Sequence, residues 1–172
     1  METIWKTAIW RQFGAAIEML ENAIGACPEN LWADRTQHPE FWYVAFHTLF
    51  FLDLYLSDSD RGFAPPAPFT LDELDERGLL PERVYSKEEL RRYLSHGREK
   101  CRMKIADMSA EKAKQRCGFD WLDLTVGEVL LYNMRHVQHH AGQLNLILRQ
   151  KVDADPRWVR KTDALLAPDH RQ

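Results

Sequence analysis

The sequence is short of most features that assign a protein at sight. It has only three cysteines, Cys27, Cys101 and Cys117, odd in number and widely spaced. That excludes a disulfide framework and a thiolate zinc knuckle, and it predicts free thiols in a reducing compartment. It has no basic block. Its 23 Lys and Arg stand against 26 Asp and Glu, a formal net charge of -3, so nothing recommends nucleic acid as a partner. It has no apolar run fit to span a bilayer, since the longest, Phe41 to Leu56, contains His47 and Asp53 and reads as a core helix. No basic stretch leads into an apolar one in Met1-Glu2-Thr3-Ile4-Trp5-Lys6, so no signal peptide and a cytoplasmic location are expected. Alternating strand patterns, internal repeats and low-complexity tracts are also missing.

What is present is helical periodicity. At 172 residues, 45% hydrophobic and 28% charged, the chain predicts one globular domain with its own core over about residues 1–150, and a tail from Lys151. In a first helix Ile9, Phe13, Ile17, Leu20 and Ile24 recur at helical spacing, with Pro28 beyond its end. A second opens with Pro39 and runs to about Leu56. A third starts at Ser86, with Glu89 completing a capping box, and continues through Leu90, Leu94, Gly97, Cys101 and Ile105. A fourth starts at Thr125, with Glu128 as the box partner, and runs to about Gln150. Four helices around one core, an all-α bundle, is the simplest architecture. The stretch Ser57 to Tyr85, punctuated by Gly62, Pro65, Pro66, Pro68, Gly78 and Pro81, suits a bundle whose consecutive helices need not be antiparallel neighbours, or a loop covering a site. The tail, with Pro156, Trp158 and Pro168, is expected to pack as a short appendage and fray at its end.

The chemistry concentrates in Arg135-His136-Val137-Gln138-His139-His140-Ala141-Gly142-Gln143-Leu144. His136 and His140 are four apart, hence stacked on one helix face, where two imidazoles can meet one metal ion. The Glu that a zinc-protease helix sets beside its first His is missing, so that reading is excluded. With Val137 as the centre of the apolar stripe, His140 lies roughly 60° and His136 roughly 100° from it on one flank, and His139 roughly 160° away toward solvent or a partner. A third ligand has to come from elsewhere in the chain. His47 lies mid-stripe on the most apolar helix, where a lone imidazole is costly. Either a polar group of a neighbouring helix satisfies it, or it shares a metal with His136 and His140; three inward-leaning histidines on two helices favour the metal. Tyr43, Asn133 and Gln143 are candidates for orienting these ligands or lining the pocket, against the alternative of ordinary polar lining. No Asp or Glu falls plainly on the two ligand faces, so no general base is assigned. Asp53 is roughly 120° from His47, and Glu128 belongs to its capping box. His38, His96 and His170 receive no role.

The chain resembles the DinB/YfiT-like metalloprotein superfamily. The likeness rests on the Trp-containing start of the first helix, the turn Pro28-Glu29-Asn30-Leu31-Trp32, the segment Phe41-Trp42-Tyr43-Val44-Ala45-Phe46-His47, and His136-Val137-Gln138-His139-His140-Ala141-Gly142-Gln143-Leu144. The resemblance implies an up-up-down-down four-helix bundle with a long connection between helices two and three, often homodimeric. It also implies a divalent ion, zinc or nickel, on His47, His136 and His140. Members include transferases and isomerases that use a low-molecular-weight thiol.

Three neutral imidazoles leave such an ion an open position for water or a thiolate. The function expected is therefore metal-dependent thiol transfer or hydrolysis of a small molecule, with a non-catalytic metal-binding or interaction protein as the alternative. Tyr43, Phe50, Phe51 and Leu54 are expected to give the pocket an apolar lining. Leu146, together with Leu49 and Leu56 opposite His47, is expected to form a face covered by a second copy or by the tail.

Overall fold

In the computed structural model, residues 2–36, 38–75 and 80–166 are described. Gly78 of the connection and Pro168 and His170 of the tail lie outside them. Among the described residues are six α-helices: α1 (Glu2–Ala26), α2 (Glu29–Trp32), α3 (Phe41–Tyr55), α4 (Lys87–Asp107), α5 (Ala110–Lys114) and α6 (Val126–Val152). No strand occurs among the described residues, and none of their helices is long and apolar enough to cross a membrane.

Local chemistry sets the ends of the long helices. Both capping boxes form: Ser86 and Thr125 accept from the backbone N–H of Glu89 and Glu128, whose carboxylates reach back to the cap residues. α3 begins at Phe41 rather than Pro39. Glu40 takes the cap position, and its carboxylate accepts from the Trp42 indole at 2.6 Å and pairs with Arg35. α6 ends at Asp153, whose φ of 52° is the left-handed conformation that closes a helix.

The four long helices form the bundle, with α1 and α3 on one diagonal and α4 and α6 on the other: α6 packs on α1 and α3, and α4 packs on the same two. Named contacts give the directions. Lys6 donates to the Ala106 carbonyl at one end of the α1–α4 pair, and Lys87 to the Cys27 carbonyl at the other, so these run antiparallel. Trp42 meets Tyr85 while Lys100 and Lys104 reach Asp53 and Asp58, so α3 and α4 run parallel. Tyr55 meets Tyr132 and His47 meets His140, so α3 and α6 run antiparallel. In chain order the long helices therefore run up, down, down, up. This corrects the expected up-up-down-down order, which here describes only the sequence of neighbours met around the bundle. Parallel α3 and α4 require the connection to return along a helix of about 22 Å, which accounts for its length.

That connection also encloses α3. Phe69 stacks on Phe46 with centroids 5.8 Å apart, and Phe63 meets Phe50 at 5.5 Å. Twelve of the fifteen α3 residues are buried. Leu49 and Leu56, expected on a face covered by a second copy or by the tail, are only 1% and 2% exposed within the single chain. Asp53 is buried too, and is satisfied by Lys100 at 2.5 Å and by the Tyr93 hydroxyl at 3.1 Å. Among the described tail residues, Ala164 and Arg157 accept from Trp10 and Asn22, and the Thr162 amide donates to the Arg11 carbonyl, which lays the tail along α1.

Candidate metal centre

α3 carries His47 at mid-length, and antiparallel α6 brings His136 and His140 opposite it. The ring centroids are 4.5 Å apart for His136 and His140, 4.9 Å for His47 and His140, and 5.4 Å for His47 and His136. One nitrogen of each falls within 4.8 Å of the others, and the Nε2 atoms of His136 and His140 are 3.1 Å apart. Two imidazole nitrogens on one tetrahedral zinc would be about 3.4 Å apart, so the cluster is at near-ligating dimensions. His139 is exposed, its ring 5.0 Å from that of His140 on the outer side.

The partners of the outward-facing nitrogens define the tautomers. His47 Nδ1 lies 2.6 Å from Oε2 of Glu73, and His140 Nδ1 lies 2.7 Å from Oε1 of Gln143. A carboxylate and an amide oxygen only accept, so each Nδ1 is the protonated donor. The Nε2 lone pairs of His47 and His140 are thereby left for the cluster.

Electrostatics keep α6's pair neutral. Burial, followed by the proximity of His140, His47 and His139, pushes the His136 pKa down to about 3. Burial also lowers that of His140, against an opposing contribution from Gln143. Neutral imidazoles are what a metal requires. Four buried side-chain polar atoms among the described residues have no hydrogen-bond partner, and two of them, Glu73 Oε1 and His136 Nδ1, belong to this cluster. Three imidazole nitrogens within 4.8 Å of one another, two of them on rings that burial keeps neutral, fit a divalent cation.

The remaining candidates divide. Gln143 touches His140. Tyr43 flanks His47 at 6.2 Å between centroids, and burial and the neighbouring Glu73 carboxylate raise its hydroxyl pKa. Asn133 is fully buried, but its amide donates to the Leu52 carbonyl, tying α6 to α3. Phe51 meets His47 and His136 at 4.8 and 5.6 Å, and Tyr55 meets His136 at 6.3 Å. Phe50 and Leu54, expected to line the pocket, are fully buried in the core. An open cavity of about 460 Å³ adjoins His136, lined also by Tyr132, Arg135, Gln138 and His139.

Glu73 had no signal in the sequence. It sits in a single 3-10 turn, Asp72–Leu74, within the connection. A segment without helical or strand period carries no face from which a side chain's direction can be read.

A search of curated proteins and of solved structures finds no match to the chain. The family model of the DinB superfamily matches residues 12–144, a span that contains the three histidines and Glu73. The chain belongs to the DinB superfamily.

Proposed function

We propose that this chain is a metal-dependent enzyme that transfers a thiol to a small molecule, with hydrolysis the reaction the same geometry allows in its place. The observation that carries the reading is the convergence of three imidazoles, two with their outer protons held by Glu73 and Gln143. His47, His136 and His140 would hold zinc, with nickel the other ion suited to three nitrogens. When bound, the ion supplies Lewis acidity that keeps a thiol or a water deprotonated and leaves at least one position open. Phe51 and Tyr55 pack against the imidazoles and favour a substrate with an apolar portion. The thiol comes from outside the chain. Burial pushes Cys27 up to about 12 and Cys101 well above the usual thiol range, so neither offers a thiolate near neutral pH, and Cys117 is buried with its Sγ against the Leu122 carbonyl, outside the histidine cluster. A low-molecular-weight thiol is then the co-substrate.

Elemental analysis of untagged protein is expected to find one divalent ion per chain. His136→Ala should weaken metal binding strongly and His139→Ala should leave it unchanged; equal losses would overturn the ligand set. Cobalt-substituted protein should change spectrum on adding a small thiol, and an electrophile should be consumed only with thiol and metal together. Metal-dependent ester or amide cleavage without any response to thiols would replace transfer by hydrolysis. Metal bound without either reaction would make this a metal-holding protein.

A further inference from the structure

The 3-10 turn Asp72–Leu74 is built inside out. Its apolar side chains face solvent, Leu71 just before it being 47% exposed and Leu74 36%. Its Glu73 side chain is 3% exposed and reaches His47. Burying a carboxylate while exposing two leucines opposes the ordinary logic of packing. The flanks of the connection are held by rings: Phe63 against Phe50 at 5.5 Å, and Phe69 against Tyr93 at 4.4 Å. Asp72 is bonded within the turn itself, by the Thr70 hydroxyl. Glu73 joins the turn to α3 through the bond from His47 Nδ1 to its Oε2, with the Tyr43 hydroxyl beside the same carboxylate.

His47 Nδ1 donates to one carboxylate oxygen of Glu73, while the second, Oε1, is buried with no hydrogen-bond partner. A cation held by His47 would polarise the Nδ1–H and offset the carboxylate's charge through the ring, and so would strengthen the bond. Whatever factor the docked turn adds to metal affinity, the metal adds to docking of the turn.

We infer that Glu73 is the positioning residue of the three-histidine site and that the Asp72–Leu74 turn is a latch whose docking is coupled to metal occupancy. The inference rests on the metal-binding reading above and deepens it: a segment between α3 and α4 sets the orientation of His47 and closes over it. Its consequence is a site whose outer wall tightens when the cation is in place.

The test uses the full chain, with zinc as the probe. Affinity is read by competition with a chromophoric chelator, and hydrogen exchange is followed in peptides covering residues 70–75 with and without zinc. Glu73→Ala is expected to weaken zinc binding 10- to 100-fold and to abolish the zinc-dependent slowing of exchange expected of the unmodified chain. Glu73→Gln, nearly isosteric and without charge, should fold as the parent does and show an intermediate loss. Asp72→Asn should bind zinc within about twofold of the parent, as expected of an acid that does not touch His47. Undiminished affinity in Glu73→Gln and Glu73→Ala, or equal zinc protection of residues 70–75 in parent and variants, overturns the latch while leaving the metal site standing. Failure of the parent to bind zinc, nickel or cobalt overturns the metal reading, and the latch with it.

Discussion

His136 is the imidazole most altered by its surroundings, and its alteration gives the metal-free protein a definite response to acid. Its pKa is pushed down to about 3 from an ordinary 6.5. Between those values the unfolded chain holds a proton that the folded chain refuses, so stability rises with pH across the interval. This contribution is complete above about 6.5 and is lost as the pH falls toward 3. Urea midpoints of metal-free protein are expected to decline over that range, and the decline should be shallower in His136→Gln, whose side chain cannot charge. An unchanged slope in the variant would assign the acid sensitivity elsewhere. At this scale the three histidines were legible because a four-residue spacing on a helix and a polar residue mid-stripe are both periodic signals. Glu73 was not legible: its side chain reaches His47 across 26 positions of chain, a distance no local pattern encodes.

Helix starts were the most readable features of single elements, because a capping box is a contact within four residues. The box at Thr125 matters beyond its own energy, since it starts the helix that carries His136 and His140. Thr125→Ala is expected to cost about 1 kcal/mol, measured by denaturant unfolding, without moving zinc affinity by more than about twofold. A large loss of affinity at unchanged stability would mean that Thr125 acts on the site directly. The start of α3 was read two residues early, because Pro39 suits a first helical position, whereas the Glu40 side chain binds Trp42 and Arg35 across the turn. The short helices α2 and α5, of four and five residues, are too brief to show a period.

For the whole molecule, we propose a symmetric homodimer using the outer face of α6, where Leu146 is 55% exposed and Leu131 is also uncovered. Light scattering at micromolar concentration should give twice the 20.2 kDa chain mass, and Leu146→Glu should shift it to the monomer; a monomeric parent would overturn the proposal. The all-helical class, the four long helices and the polar residues on their apolar stripes follow from the sequence by itself, since period, caps and breakers act within a turn or two of chain. The tertiary structure decided the rest. Helix direction depends on which ends meet, here Lys6 with Ala106 and Lys87 with Cys27, and periodicity carries no information about direction. Burial of Leu49 and Leu56 depends on the other segments that the fold packs around α3. The placing of Glu73 against His47 likewise exists only once the α3–α4 connection has been drawn back along α3 by its parallel partner α4. Local interactions are encoded where they occur; contacts between segments distant in sequence arise from the packing of the whole chain.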